Sequence, residues 1–312
     1  MEFSKIVKKR EFTILVLIIV LGIIFSFTTA KFLSKDNMTN IMYQLSNLII
    51  SAIGMTMVII TGGIDVSIGS TLGLSAVVAG MLLTNNTSLF LVILAVLGVG
   101  GIVGAINGVI IGYGGIPAII TTLGTMNLVR AFLFQVLRGR WITGLPEGVR
   151  FIGIGRFLGL PISIWIAIVL LIAFSYFLRF RPSGRYIYAI GNNIEAARVS
   201  GVDPKKIQFI VYLFAGILAG FCGLIYTART GIVQTNTGMG FEMDVIAAVV
   251  LGGTSTTGGK GTILGTLLGA ILVGIIKNGM VLLNVPALGE GLVIGLLILV
   301  SVVIDIIRSQ GD

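Results

Sequence analysis

Long runs of apolar residues follow one another along the chain, with short polar stretches between them. A helix needs roughly 20 mainly apolar residues to cross the hydrocarbon core of a bilayer. The mainly apolar windows fall at about 12–30, 42–61, 66–83, 88–112, 117–137, 161–179, 208–227, 243–256, 262–283 and 288–307. We therefore predict an all-α fold, a polytopic bundle of about ten transmembrane helices (eight to ten), with residues 1–312 in a single transmembrane domain.

Two of these windows contain polar, glycine-rich stretches, at 61–70 and 251–262. Non-helical backbone at membrane depth is tolerated only where it is buried in protein or lines a wet cavity. We therefore predict broken or re-entrant segments at both places. Each one follows an apolar run and leads into another, a pattern also typical of the internal repeats of transporters.

The distribution of charge favours a cytoplasmic N-terminus. Basic residues at 5–10 precede the first apolar window as in a signal peptide, but 28–30 is a poor cleavage site, so we expect a retained first span. Six crossings then place 180–207 in the cytoplasm, where residues 179–206 carry six basic and two acidic side chains. The connection 138–160 opposes this topology, because it would be external and yet carries four arginines.

Composition excludes several classes of protein. Hydrophobic residues make up 56% of the chain and charged residues 11%, which leaves no room for a sizeable soluble domain. Histidine is absent and Cys222 is the single cysteine, so a disulfide, a His-based metal site or a Ser-His-Asp triad cannot be built. We expect no metal site, and we attribute the net charge of +9 to the positive-inside bias rather than to nucleic-acid binding.

The second glycine-rich stretch also has to be tested as a phosphate-binding loop. Residues 258–262 read Gly-Gly-Lys-Gly-Thr. A P-loop needs glycine, four residues, Gly-Lys and then Ser or Thr. Here Thr254 stands where the first glycine belongs and Gly261 follows Lys260. We therefore expect that this chain has no ATPase site and binds no cofactor of its own.

Glycines recur at every fourth position in two stretches, which would leave a flat stripe for a neighbouring helix. We expect these residues to serve helix packing rather than ligand binding. They are Gly100, Gly104 and Gly108 in one predicted helix, and Gly261, Gly265 and Gly269 in another.

Polar side chains within the apolar windows are candidates for a translocation path. Asp65 could either cap the helix that follows it or contact a substrate. Glu242 and Asp244 follow an approach at 234–240 that we place outside the membrane, and they either reach the interface or face the path. Arg130 is expected to anchor at the interface. The predicted path residues are Asp65, Ser67, Asn127, Trp141, Glu242 and Asp244.

Several of these motifs resemble those of a known family. From about residue 40 to 305, the chain resembles the ribose-type sugar permeases of bacterial ABC importers. The resemblance is carried by stretches 62–70, 116–125, 184–201 and 240–253, which occur in order and at the expected spacing. Stretches 140–146, 237–243 and 282–287 look most like the permeases for autoinducer-2 and rhamnose-like sugars. In such a protein Trp141 would stack on a sugar ring or belong to the aromatic belt.

The resemblance implies a multi-pass subunit of the bacterial inner membrane, in contact with lipid, that is not itself an enzyme. Its implied partners are a second permease copy or paralogue, an external sugar-binding protein and a tandem-domain ATPase that uses ATP and Mg. Within 180–207, the coupling loop that would contact the ATPase includes Gly184, Arg185, Tyr188, Gly191, Asn192, Glu195, Ala196, Ala197, Arg198 and Gly201.

Three other interpretations remain open at this point. Asp65 and the broken segments also fit a secondary transporter driven by an ion gradient. Asp65 and Asp244 could form the paired carboxylates of an intramembrane enzyme, although they are far apart in sequence. The basic segment 180–207 could be a cytoplasmic loop without a partner.

Overall fold

The computed structural model describes the backbone of residues 9–309 and the side chains of 11–286 and 288–303. Within this part, a π-helical turn, Val109–Tyr113, continues the fourth helix, and a two-residue hairpin pairs β1 Arg156–Phe157 with β2 Leu160–Pro161. The α-helices are α1 Lys9–Thr28, α2 Lys35–Ile60, α3 Ile68–Thr84, α4 Leu89–Gly108, α5 Ala118–Leu137, α6 Glu147–Ile154, α7 Ile162–Phe180, α8 Pro182–Asn192, α9 Ile194–Val199, α10 Pro204–Thr230, α11 Phe241–Leu251, α12 Ile263–Leu282 and α13 Ala287–Ser309.

This architecture confirms the all-α polytopic bundle. Among the described residues, seven helices are long and apolar enough to cross a membrane: α1, α2, α4 with its π-turn, α5, α7, α10 and α12. The apolar helices α3 and α13 are shorter within the described side chains. Helix α11 has 11 residues and rises about 16 Å, which is about half of the hydrocarbon core. The number of spans therefore stays a prediction.

Helix α2 forms the centre of the bundle. Almost all of its residues from Leu45 to Ile60 are buried, and it packs against α7, α10, α11 and α12. Helix α1 lies at the periphery, with its apolar side chains largely exposed. An apolar face without protein neighbours is stable only in lipid, so this contrast places α1 on the outside of the bundle and α2 in its protein core.

The first predicted glycine stripe belongs to α4 and packs against α10. A Cβ atom at Gly100 would overlap the carbonyl oxygen of Gly216, and one at Gly104 would overlap the carbonyl oxygen of Tyr212. At Gly108 it would press on the backbone of Phe209. Helices α4 and α10 therefore approach each other backbone to backbone, as small residues permit in membranes.

The second stripe differs from the prediction at one position. Thr262 caps α12, because its Oγ1 accepts a 2.9 Å hydrogen bond from the backbone N–H of Gly265. The helix therefore begins at Ile263, and Gly261 lies before it in a non-helical segment rather than on the helix. Gly265 and Gly269 do face a neighbour, since a Cβ at Gly269 would overlap the backbone of Ala248 in α11, and one at Gly265 that of Gly252 just after α11.

Both predicted breaks are present. Residues 61–67 separate α2 from α3, and residues 252–262 separate α11 from α12. The two non-helical segments lie at the same end of the bundle, where the N–H of Gly259 donates a 2.9 Å hydrogen bond to the carbonyl oxygen of Ile60. Helix α1 starts at this end too, since Thr262 Oγ1 donates to Glu11 Oε1 at 3.0 Å.

The connection between α5 and α7 lies at the opposite end. Ile142 forms an antiparallel bridge with Val233 just after α10. Helix α6 packs against the last turn of α10, where a Cβ at Gly153 would overlap the backbone of Ala228. The arginine-rich connection 138–160 therefore caps the end of the bundle that is farthest from α8 and α9.

Candidate translocation and coupling sites

The predicted coupling loop is folded into two short helices, α8 and α9. Helix α8 begins with Pro182 in its first turn. A backbone N–H at this position has no acceptor within the helix, so proline costs no hydrogen bond there. Asn193 caps α9, because its Oδ1 accepts hydrogen bonds from the N–H groups of Glu195 at 3.0 Å and Ala196 at 2.9 Å. Asp203 caps α10 in the same way. The starts of α9 and α10 are thus each held by a polar side chain.

Helix α9 projects from the bundle. Ala197 is its one buried residue, and it holds α9 against the rest of the chain. The side chain of Val199 is 89% exposed, and Glu195 and Arg198 form an exposed ion pair at 3.2 Å. Gly201 ends the helix with a φ of 84°, a conformation that side chains disfavour. The result is a protruding surface with exposed apolar side chains and two charges, which we call the α9 surface.

Helix α8 is attached to the end of α2 and to the second non-helical segment, 252–262. The hydroxyl of Tyr188 donates a 2.9 Å hydrogen bond to the carbonyl oxygen of Gly261, and burial raises the pKa of that hydroxyl, which keeps it a donor. A Cβ at Gly191 would overlap both Ile60 O and Gly259 N. We call this contact between Ile60, Tyr188, Gly191 and segment 252–262 the inner junction. It joins the α9 surface to the membrane helices through backbone atoms.

The first non-helical segment holds a chain of buried polar groups. Asp65, 1% exposed, accepts hydrogen bonds on Oδ1 from Ser67 N at 2.9 Å and Ser67 Oγ at 2.6 Å. Ser67 Oγ accepts one from Asn107 Nδ2 at 2.9 Å, and Asn107 Oδ1 accepts one from Thr125 Oγ1 at 2.7 Å. These bonds tie the turn before α3 to α4 and α5.

The geometry around Asp65 differs from a simple helix cap. Helix α3 begins at Ile68, so Ser67 occupies the capping position and makes no capping bond with its side chain. Asp65 instead closes the turn that leads into the helix. Facing this turn, the hydroxyl of Tyr212 lies against Gly63 and has no hydrogen-bond partner within the described residues.

Residues 231–240 form a third non-helical segment, which includes the approach at 234–240 that was expected to lie outside the membrane. Their contacts follow α3: Val233 lies beside Gly80, the carbonyl oxygen of Thr237 beside Gly73, and that of Gly238 beside Gly69. Gly80 lies eleven positions after Gly69 in this helix, a rise of about 16 Å. The approach placed outside the membrane at 234–240 therefore descends along α3, and α11 continues from its lower end.

Two charged side chains hold this descending segment. Arg130 Nη1 donates a 2.7 Å hydrogen bond to the carbonyl oxygen of Thr237, so Arg130 binds within the protein and does not serve as the expected interface anchor. Glu242 is buried, and its Oε1 accepts from the N–H of Gly240 at 3.3 Å. The other carboxylate oxygen of Glu242 lies beside Gly69 on α3. Both charged side chains thus hold the segment through its backbone.

Asp244 has a different partner from Asp65. The ammonium group of Lys277 on α12 donates to Asp244 Oδ2, whereas Asp65 accepts from Ser67 before α3. With these partners, the two carboxylates belong to separate clusters. The structure therefore gives no support to a shared paired-carboxylate site.

Asn127 and Trp141 lie away from both clusters. Asn127 is exposed on α5 and donates to the carbonyl oxygen of Leu123 one turn earlier at 2.9 Å. Trp141, 62% exposed, lies in the connection after α5. The exposed side of α5 also carries Gly124, Ala131 and Gln135, so small and polar residues interrupt a surface that would otherwise be apolar.

Three of the polar groups that form these clusters, Asn107, Thr125 and Lys277, were not among the predicted path residues. Asn107 and Lys277 carried a usable signal, because polar side chains inside apolar windows are rare and functional by default. Thr125 carried no such signal, since threonine is common in membrane helices. Its role depends on its position opposite Asn107 across α4 and α5.

The fold and these clusters define a class of protein: a multi-pass membrane permease with a surface helix joined to buried, non-helical segments. Residues 37–302 match the family described as branched-chain amino acid transport system / permease component. The chain belongs to this family.

Named relatives agree with the resemblance. The ribose import permease protein RbsC of Haemophilus influenzae is 40% identical over 304 residues, which cover 96% of this chain and 93% of the relative. That of Escherichia coli K12 is 39% identical over 307 residues, 97% and 95% of the two chains. The autoinducer 2 import system permease protein LsrC of Salmonella choleraesuis is 37% identical over 296 residues, 95% and 85%. No solved structure matches the chain.

Proposed function

We propose that this chain is the transmembrane subunit of an ATP-driven importer that carries a monosaccharide or an autoinducer-2-like furanose across the bacterial inner membrane. A separate tandem-domain ATPase would bind ATP and Mg and act on the α9 surface from the cytoplasm, where the N-terminus would also lie. An external binding protein would deliver the substrate to the opposite end of the bundle.

The observation that carries the proposal is the inner junction. A loop that served only the positive-inside bias would need no fixed tertiary contacts. Here, helix α8 is joined to the end of α2 and to segment 252–262 by the Tyr188 hydrogen bond and the close approach at Gly191. A push on the α9 surface would therefore move the ends of α2 and α12 together as a rigid body.

The exposed face of α5 supports a path between two permease copies. A helix face in contact with lipid is apolar, whereas packed helix faces use small and polar residues. On α5, Gly124, Asn127, Ala131 and Gln135 are exposed at spacings of three and four residues. A second copy or paralogue covering this face would form a polar path that includes Asn127.

The substrate class rests on the relatives. Two relatives are named for ribose import and one for autoinducer 2 import, while the family description names branched-chain amino acids. We favour a sugar or furanose because the named relatives match almost the whole chain. A secondary transporter is disfavoured because membership of this family implies energy from a partner subunit.

Co-purification tests the proposal directly. The chain, tagged, is co-expressed with a candidate tandem-domain ATPase, and co-elution and substrate-stimulated ATP hydrolysis are measured. We expect Glu195→Arg to release the ATPase, because it inverts a charge on the α9 surface. Insertion of the variant into the membrane should be unchanged, since Glu195 is exposed.

A charge swap separates surface recognition from helix stability. In the variant Glu195→Arg with Arg198→Glu, the ion pair within α9 is kept while its surface pattern is inverted. We expect this variant to lose the ATPase as well, and Ser200→Ala to retain it. A chain that never binds the ATPase, yet takes up substrate into proteoliposomes under an ion gradient alone, would overturn the proposal.

A further inference from the structure

A cavity of about 430 Å³ lies between α11, α12 and α13, apart from the Asp65 chain and the inner junction. Its volume is within the range of small-molecule sites, about 300–1,000 Å³. Its walls carry both charged and apolar groups. The lining includes Met239, Met243, Asp244, Lys277, Glu290 and Gly291, and we call it the outer cavity.

The outer cavity lies in the half of the bundle that faces away from the α9 surface. Lys277 is in the last two turns of α12, and Glu290 is in the first turn of α13. The other end of α12 lies at the inner junction, next to Gly261. Met239 and Met243 belong to the lower end of the segment that descends along α3 and to the start of α11. The cavity is thus reached from the same end as that segment.

Its charges are only partly paired. Lys277 and Asp244 form an ion pair, with side chains 30% and 15% exposed. Glu290 adds a second carboxylate from the opposite wall. Within the side chains described, 11–286 and 288–303, Glu290 forms no ion pair. The cavity therefore offers ammonium donors and carboxylate acceptors on facing walls.

Charged groups inside a membrane protein need either a charged or polar partner or access to water. Charged side chains at membrane depth are costly in hydrocarbon and face the bundle interior or a wet cavity. The exposed part of the Asp244 and Lys277 pair opens into the outer cavity. We therefore expect water in the cavity, and a ligand that enters it would have to replace hydrogen bonds made by that water.

We propose that the outer cavity is a transient binding site for a neutral, polyhydroxylated molecule of monosaccharide size, on the external side of the path. This inference rests on the proposed function and assigns that path a specific site. Hydroxyl groups both donate and accept, so they can bond the carboxylates of Asp244 and Glu290 and the ammonium group of Lys277 at once. Met239, Met243 and the surface of Gly291 offer adaptable apolar contact to the C–H face of a ring.

The charged groups of the cavity favour a neutral polyol over a phosphorylated sugar or a small cation. Two carboxylates and one ammonium group give the cavity a net negative charge, which disfavours a phosphorylated sugar. A small cation would be bound by the carboxylates alone and would gain nothing from Lys277. A site for a neutral polyol needs all three groups, so a change in any one of them should weaken it.

Binding can be measured on the full-length chain in lipid nanodiscs by saturation-transfer NMR. The probes are D-ribose, ribose 5-phosphate and ethanolamine. We expect D-ribose to bind and the phosphate ester and ethanolamine not to compete with it. We also expect Lys277→Met and Glu290→Gln each to weaken binding about tenfold or more, because hydrogen bonds to charged groups are among the strongest.

Matched variants distinguish a loss of binding from a loss of folding. Glu290→Gln removes no ion pair that the structure describes, so a loss of binding with unchanged thermal unfolding reports on the site itself. Glu147→Gln on α6, exposed at the same end of the bundle and outside the cavity, should bind as the unaltered chain does. Equal D-ribose signals in all variants, or displacement by ethanolamine, would overturn the proposal. A failure of ATPase co-elution would not affect this result.

Discussion

The inner junction is formed mainly by backbone atoms, whereas the outer cavity is lined by side chains. At the inner junction, Gly191, Ile60 and Gly259 meet through backbone atoms, and Tyr188 adds a neutral hydrogen bond. At the outer cavity, side chains from three helices face a space of about 430 Å³ that includes an ion pair. One region is closely packed, and the other is open and charged.

The difference corresponds to two tasks. A close-packed contact between backbones transmits displacement because it has no room to deform. A hydrated cavity with flexible charged and Met side chains can accept and release a ligand without a large rearrangement. We therefore expect substitutions at the inner junction to uncouple the chain from its ATPase, and substitutions in the outer half to affect transport while coupling is kept.

The largest effect is expected from Gly191→Ala. The new Cβ would overlap Ile60 O and Gly259 N, and neither atom can move without displacing backbone. Overpacking of this kind costs about 1–3 kcal/mol, enough to reduce a coupled equilibrium by about fivefold to a hundredfold. We expect substrate-stimulated ATP hydrolysis in the reconstituted complex to fall by about that factor.

Gly98→Ala is the matched control for this change. Gly98 lies in α4 and has open space where its Cβ would be, so we expect unchanged ATP hydrolysis. If Gly191→Ala hydrolyses ATP with full substrate stimulation, the inner junction does not transmit the signal and our description of it is wrong.

Gly69→Ala should have the next largest effect, and it should reduce substrate uptake rather than coupling to the ATPase. Its Cβ would overlap Gly238 O and a carboxylate oxygen of Glu242, which displaces the segment that descends along α3. The glutamate side chain can partly move away, so we expect a smaller loss than at Gly191. Uptake should fall several-fold while ATPase co-elution is retained. Equal losses of uptake and co-elution would contradict the separation of the two regions.

Substitutions at Asp65 distinguish a structural role from a substrate contact. Asp65→Asn keeps an acceptor for Ser67, whereas Asp65→Ala removes it. Loss of a side chain that caps backbone N–H groups costs about 0.5–2 kcal/mol. We expect Asp65→Ala to lower thermal stability by about that amount and Asp65→Asn to retain uptake. Loss of uptake in Asp65→Asn, with stability unchanged, would instead assign the carboxylate to the substrate.

Tyr188→Phe should have the smallest effect. It removes the single hydrogen bond to Gly261 O and leaves the contact at Gly191 in place. A hydrogen bond of this type contributes about 0.5–1.5 kcal/mol. We expect a modest decrease in substrate-stimulated ATP hydrolysis, less than that of Gly191→Ala. A larger effect than at Gly191 would mean that the hydrogen bond, rather than the backbone packing, holds the junction.

Hydropathy alone predicted most of the fold, because lipid forces each spanning segment to be apolar. The windows at 42–61, 88–112 and 262–283 correspond to α2, α4 with its π-turn, and α12. The two breaks at 61–70 and 251–262 were also predicted, since polar, glycine-rich stretches interrupt the apolar pattern of a spanning helix. Non-helical backbone at membrane depth is tolerated only where it is buried in protein or lines a wet cavity.

Features that depend on non-local contacts were not predictable in this way. The polar segment 234–240 has the composition of a surface loop, and its descent follows from the bare backbone that Gly69 and Gly73 present on α3. Arg130 has the pattern of an interface residue, but the carbonyl oxygen of Thr237 reaches it inside the protein. Local sequence carries no information about which distant segment fills such a space.

Spin-label distances test the central claim, that the α9 surface moves with the inner junction as one body. Cys222, the single cysteine, is buried, so labels can be placed at cysteines replacing the exposed residues Ser200, Lys260 and Asn236. Distances are measured in the complex with the ATPase, with and without trapped ATP. We predict that the 200–260 distance stays constant while the 200–236 distance changes. A 200–260 distance that changes with ATP would contradict the account.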